Sequence, residues 1–410
     1  MNDVLPLVAL VALATAMAVL LERGGRAGYG WVTGSEFALL GIILGPVVLD
    51  ALSSDLLSGL STAIWAGAAW LGLRFGLRLR RSFLREMPGR TQWATQLEPV
   101  FTLFALRGLL RLLDVRGWLI LDNDVAWAIA AVGSASTKSA TAWARTRLGA
   151  KGPMTDALES VSTLDDLPAV IGAAILMPRL HPVPSHLPPF LWSPLAATVV
   201  IGVGLGLLIL LLTGGKRFRG DLGWVAMFGA CALASGLSAS LGLSSIAVTV
   251  FAGVCVGGFS QHADALEALT RATERPVVLT LLVLGGASLV GGAWLAIVGL
   301  AAAAVRALAK GVGGAFASLV LPRATRRVDF GAGLLGSGGV AFAVAMTLAQ
   351  GLGTERRDAI LVSAVAMALL GDWVGTSLLR RVLDRARELP RKVAEAADDA
   401  AQPEPLEVPR

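Results

Sequence analysis

Two aspartates stand side by side, Asp165 and Asp166, inside an otherwise apolar stretch from about residue 157 to 178. An ionised side chain at the centre of a bilayer costs about 2.5–3.5 kcal/mol on insertion scales, so adjacent acids at such a depth need a use. Neighbouring helical residues point about 100° apart, which lets Asp166 face a cavity while Asp165 turns toward an adjacent helix. A carboxylate held in this way binds a proton or a hard cation, and the two compete. The expected partner of Asp165 is Lys310, whose long stem reaches into a bundle and whose charge offsets the buried acid, with Arg306 one turn earlier as the rival. The bland alternative for both cations is snorkelling to an interface.

Oxygen donors for a cation are expected where apolar runs are interrupted. The segment Gly133-Ser134-Ala135-Ser136-Thr137-Lys138-Ser139 breaks one run, and Gly336-Ser337-Gly338-Gly339 breaks another. Backbone groups freed at such breaks can coordinate an ion at membrane depth. Ser136 and Thr137 add hydroxyl and carbonyl oxygens, which suit a hard monovalent cation, and Ser337 supplies the opposite half. Lys138 lies in the first break and either repels a cation, pairs with Asp165 or Asp166, or snorkels away. Glu159, seven residues before Asp166 and on the same helix face, is an entrance group or a loop-end charge, the latter slightly favoured. Asp372 lies near mid-span and is a candidate partner for an arginine, while Glu36 and Asp50 read as exposed helix ends. The three histidines, His181, His186 and His262, show no metal-ligand spacing, so no metal beyond a transported monovalent cation and no cofactor is expected.

The elements that position these groups follow from the composition. Of 410 residues 55% are hydrophobic and 16% charged, far more apolar than one soluble core requires. Apolar runs long enough to cross hydrocarbon recur throughout. They predict an all-α polytopic membrane protein of thirteen helices, over 4–21, 36–52, 57–77, 98–113, 118–143, 157–178, 189–212, 221–240, 242–258, 276–290, 291–319, 328–350 and 356–379. The first run lacks a basic leader and a small-residue cleavage site and reads as a retained helix. With the N-terminus outside, 25 of the 35 Lys and Arg residues fall in cytoplasmic segments. That bias supports a true crossing at 98–113 despite Arg107 and Arg111. Residues 380–410 read as a charged cytoplasmic tail.

Helices 36–178 and 242–379 read as two five-helix repeats. An odd number of crossings inverts one repeat relative to the other. The matching features are cationic pairs (Arg107 and Arg111 against Arg306 and Lys310), the two breaks, and the mid-span acids (Asp165 and Asp166 against Asp372).

Other function classes find little support. The formal charge of +6 sits in short loops between apolar runs, a topology signal and not a nucleic-acid face. Cys231 and Cys255 lie within apolar runs as small buried hydrophobes. Filter-like carbonyl motifs and nucleophile motifs do not stand out, which disfavours a channel or an enzyme.

Four stretches together resemble the cation/proton antiporter superfamily, in its branch of bacterial sodium/proton and potassium/proton exchangers. They are LLGIILGPVV (Leu39 to Val48), Ser134 to Thr141 followed by Thr163-Leu164-Asp165-Asp166, LGLSSIAVTVFAG (Leu241 to Gly253), and Arg306 to Lys310 followed by Ser337-Gly338-Gly339-Val340-Ala341-Phe342. The resemblance implies thirteen helices, crossed discontinuous helices beside the aspartates, and a core domain that slides against a dimer domain, hence a homodimer in the bacterial inner membrane. It also implies sodium or potassium and protons as partners, Asp166 as the carrier, and Asp165 paired with the lysine matching Lys310. Lys138 departs from the family pattern, which usually has a small or acidic residue there. That departure motivates the alternative of a transport-silent sensor or scaffold that keeps the antiporter fold.

Overall fold

The computed structural model describes residues 32–80, 85, 89–181, 193–215 and 220–390. The predicted helix 4–21, His186 and the tail beyond residue 390 lie outside them. Among the described residues every regular element is helical. The helices are α1 (Glu36–Leu44), α2 (Ser54–Gly59), α3 (Ser61–Arg78), α4 (Gly89–Val115), α5 (Asn123–Ser134), α6 (Lys138–Arg147), α7 (Pro153–Leu164), α8 (Leu167–Leu180), α9 (Pro194–Thr213) and α10 (Gly220–Leu241). They continue as α11 (Ser245–Phe259), α12 (Ala263–Ala287), α13 (Ala293–Val320), α14 (Gly339–Ala349), α15 (Thr354–Leu370) and α16 (Thr376–Arg385).

Twelve of the thirteen predicted helices thus have counterparts, several of them in two pieces. Among the described residues five segments are long and apolar enough to cross a membrane: Pro153–Leu180, Pro194–Thr213, Gly220–Leu241, Trp294–Val320 and Thr354–Arg385. The apolar helices Ser245–Phe259 and Gly339–Ala349 are shorter.

The interruptions have local causes. The helix expected to run to residue 52 stops at Leu44, because Gly45 is extended (φ −72°, ψ 178°) and Pro46 has no amide proton to continue the ladder. The stretch 157–178, expected as one helix, is two: Asp165 closes α7 and Asp166 opens α8. Pro168 cannot donate to the carbonyl four residues back, and that freed carbonyl, Leu164 O, accepts instead from Gln96 Nε2 at 3.2 Å. Between α15 and α16 the residues Gly371–Gly375 widen into a π-helical turn that carries Asp372.

Packing among the helices relies on small residues that let backbones meet, as expected where hydrocarbon offers no hydrophobic drive. A Cβ on Gly76 of α3 would lie 2.1 Å from Val250 O of α11. On α13 the same holds for Gly314, whose added Cβ would lie 2.1 Å from Gly331 Cα in the short 3-10 helix Phe330–Leu334 that precedes the second break. Side chains on the opposite side of α9 and α10, such as Leu207, Leu211, Val225 and Phe228, are exposed, as suits a surface against lipid.

Candidate functional site

Both predicted breaks are present and lie against each other. After Ser134 the chain is extended at Ala135 (φ −73°, ψ 151°) and at Thr137 (φ −126°, ψ 138°), whose hydroxyl accepts from Ser139 N at 3.1 Å and so opens α6. In the second break Gly338 is extended (φ −109°, ψ 174°) before α14 begins. A Cβ on Gly336 would meet Thr137 Cγ2 at 2.7 Å, and one on Gly338 would meet Thr137 Cβ at 3.1 Å and Ser136 O at 3.3 Å. Glycine at these positions is what allows one break to cross the other.

Breaks leave carbonyls without helical donors, and two cations of α13 supply them. Arg306, 1% exposed, donates through Nε to Gly133 O (2.9 Å) and through its terminal nitrogens to Ala135 O (2.8 Å), Leu335 O (2.6 Å) and Gly336 O (3.2 Å). One guanidinium therefore clamps both interruptions, a task its planar fork of donors suits and an ammonium does not. Lys310, one turn on and 0% exposed, donates to Ser134 O (2.7 Å) and Ser136 Oγ (2.6 Å). Neither cation snorkels to an interface.

Lys310 lies between two acids, the expected Asp165 and an unexpected Glu98. Its ammonium lies 3.1 Å from Glu98 Oε2 and 3.9 Å from Asp165 Oδ2. The hydrogen-bonded ion pair is with Glu98 of α4, and Asp165 stands beyond hydrogen-bonding reach. Sequence reasoning missed Glu98 because the apolar run begins at that residue, whereas the helix begins nine residues earlier and buries it completely. The available signal was a Glu-Pro pair directly preceding an apolar run.

Asp165 is fully buried and Asp166 9% exposed, beside the crossing. Among the described residues Asp165 Oδ1, Asp165 Oδ2 and Asp166 Oδ1 are buried without a hydrogen bond of ordinary geometry, the Ser136 hydroxyl and amide being the donors that act on Asp165. The charges acting on Asp166 are Asp165, Arg78, Lys310 and Lys138. Buried carboxylate oxygens short of donors are costly unless a proton or a cation joins them.

A family model for the transmembrane part of the sodium/hydrogen exchanger matches residues 7–384. The chain belongs to the sodium/hydrogen exchanger family. It is an integral membrane protein of a family of cation/proton antiporters. Its fold is similar to that of the sodium proton antiporter MjNhaP1 from Methanocaldococcus jannaschii at pH 8, with a TM-score of 0.68 over 92% of this chain and 99% of that one at 16% identity. A structure described as an electron-microscopy map of the same antiporter matches with a TM-score of 0.61 over 97% and 99% at 14% identity. At these identities the likeness is one of fold. No curated protein sequence matches the chain significantly.

The remaining predicted residues of this family member are dispersed around the crossing. Ser337 is buried within the second break. Lys138, half-buried at the start of α6, is surrounded by the charges of Arg78, Glu159, Asp166 and Glu267. Glu159 pairs with Arg145 at 2.7 Å on a side chain 42% exposed, the geometry of a surface ion pair. Among the described residues Asp372 forms no ion pair with an arginine. It accepts from Ser35 Oγ (2.6 Å), Thr33 Oγ1 (2.7 Å) and Thr33 N (3.1 Å), which tie the residues before α1 to the π-helical turn. Glu36 is half-buried where an exposed end was expected. Arg107 and Arg111 are not clamps like their supposed counterparts: Arg107 stacks over Trp127 with its guanidinium carbon 5.3 Å from the ring centre, and Arg111 pairs with Asp114.

Proposed function

We propose that this chain is a secondary antiporter that exchanges sodium or potassium for protons at Asp165 and Asp166, with Asp166 as the carrier. The observation that carries the reading is the set of buried carboxylate oxygens at 165 and 166, lacking hydrogen bonds of ordinary geometry, beside two crossed helix interruptions. Burial makes a bare carboxylate expensive, so protonation and cation binding are alternative ways of neutralising it, and only the neutralised site crosses the bilayer cheaply. Competition at one site couples the two fluxes. Oxygens near the pair, from Ser136, Thr137 and Ser337, complete a hard-cation environment. Lys310 and Arg306 hold the breaks in place and set the local potential. Alternating access follows if repeats 36–178 and 242–379 move as a body against the other helices of a homodimer. The N-terminus is placed outside and the tail from 380 in the cytoplasm of a bacterial inner membrane.

Replacing Asp166 by Asn should abolish cation-dependent pH dissipation in proteoliposomes while leaving the purified protein folded. Exchange retained at the wild-type rate by Asp166→Asn would refute the assignment.

One observation favours a second reading, a transport-silent sensor or scaffold: the ammonium of Lys138 is among the few charges acting on Asp166. On that reading wild-type protein catalyses no sodium-, potassium- or lithium-dependent proton movement, and Lys138→Ala does not confer any. On the exchange reading wild-type protein is active.

A further inference from the structure

Lys310 stands between two acids but bonds only one. An ammonium has three hydrogens to donate. Here three acceptors take them: Glu98 Oε2 at 3.1 Å, Ser134 O at 2.7 Å and Ser136 Oγ at 2.6 Å. Asp165 Oδ2, at 3.9 Å, receives none.

Glu98 is built to hold this position. Its other oxygen, Oε1, accepts from Thr102 Oγ1 at 2.7 Å, one turn further along α4, so the carboxylate is oriented from both sides. α4 and α13 approach closely at this level, because a Cβ on Gly313 would lie 3.3 Å from Glu98 O and 3.2 Å from Thr102 Oγ1. Gly313 is three residues after Lys310 and thus on the same helix face, so the close approach and the ion pair belong to one contact. Both charged side chains are 0% exposed, so each offsets the burial of the other, with Asp165 as a second, longer ion-pair partner of Lys310.

We propose that Glu98 is a positioning residue for exchange: it anchors the Lys310 ammonium inside the α5–α6 break and so keeps this resident cation from occupying the place of the transported one. The inference rests on the exchange reading and adds a residue to it. Without Glu98 the nearest remaining carboxylate for Lys310 is Asp165, within a side-chain adjustment of the observed 3.9 Å. An ammonium on Asp165 then competes with incoming sodium or potassium.

The experiment is cation-driven proton exchange in proteoliposomes, read as KM and kcat separately, together with the thermal shift that added sodium or potassium gives the purified protein. Glu98→Gln should raise the cation KM by about tenfold or more, the usual range for coupling between sites, with a much smaller change in kcat. Because the misplaced ammonium competes with the cation, saturating sodium or potassium should restore turnover in Glu98→Gln to near the wild-type value. A role for Glu98 in packing alone predicts the opposite, a lowered kcat that no cation concentration recovers. If Glu98→Gln cannot be recovered folded, Glu98→Asp, shorter by one methylene, should raise KM by several fold, and the cation-induced thermal shift reads affinity even when turnover is lost. An unchanged KM and thermal shift in the folded single variant, or a kcat at saturating cation that falls as far as KM rises, overturns the role of Glu98 and leaves the exchange reading intact. Wild-type protein that neither exchanges nor responds thermally to cations overturns the exchange reading, and the role of Glu98 with it.

Discussion

Arg306 donates to four backbone carbonyls that belong to two different chain interruptions. Arg306→Met keeps most of the volume and removes every donor, leaving these carbonyls buried and unpaired. A hydrogen bond to a charged group contributes about 1.5–3 kcal/mol net, so the low end for four such bonds is about 6 kcal/mol. Bonds made by one guanidinium are not independent, and relaxation at the breaks recovers part of the loss, which sets a floor of about 3 kcal/mol. Arg306→Lys keeps the charge, but a single ammonium cannot span both breaks and should lose roughly half as much. Thermal melting of the purified protein in one detergent is the assay. On a chain of this size about 3 kcal/mol corresponds to a drop of roughly 3–4 °C, with Arg306→Lys between wild type and Arg306→Met. Exchange should be lost in Arg306→Met, because the breaks no longer hold their crossing. An Arg306→Met protein that melts within about 1 °C of wild type would refute the clamp.

Two further outcomes concern the ends of the bundle. The Glu388 carboxylate accepts from Met154 N (2.6 Å), Thr155 N (2.8 Å) and Thr155 Oγ1 (2.6 Å) at the start of α7, the helix that ends at Asp165, so Glu388→Ala should destabilise the protein by about 1–2 kcal/mol and Glu388→Gln by less, read by the same melting assay. At the opposite end His181 follows α8 and lies against Gly351; burial pushes its imidazole below the usual 6.5, only partly opposed by a hydrogen bond with the Leu348 backbone. The folded protein then binds fewer protons here than the unfolded chain, so His181 adds a loss of stability as pH falls below about 6.5 that levels off beneath the folded value. His181→Gln should flatten the dependence of the melting temperature on pH between about 7.5 and 5.5, and an unaltered slope would contradict the assignment.

The broad architecture could be read from the chain because hydrocarbon imposes a length and a composition on every crossing helix. The Gly/Ser clusters at 133–139 and 336–339 marked both breaks for the same reason: such residues hold helices poorly and allow close backbone approach. The interruption at Asp165 and Asp166 went unread although Pro168 was visible, since a proline in a membrane helix is often absorbed by a kink. Here Gln96 takes up the freed carbonyl, and a partner 68 residues away cannot be inferred from local pattern. Long sequence separation hid the rest as well. Thr33 and Ser35 satisfy Asp372 across more than 330 residues, and Glu98 reaches Lys310 across 212. Lys310 was identifiable as the cation that meets an acid, but that Arg306 bridges carbonyls of both breaks and that Glu98 is the nearer acid depend on the crossing geometry and not on residue spacing.

Competition between protons and cation at the aspartates can be followed with no transport step at all. Sodium, potassium or lithium chloride is added to purified protein in weakly buffered detergent, and the bulk pH is followed with a dye. Wild-type protein should release protons saturably, with an affinity that weakens as the starting pH is lowered, and Asp166→Asn should release none. Proton release of wild-type size and affinity from folded protein carrying both Asp165→Asn and Asp166→Asn would show that the exchange site lies elsewhere.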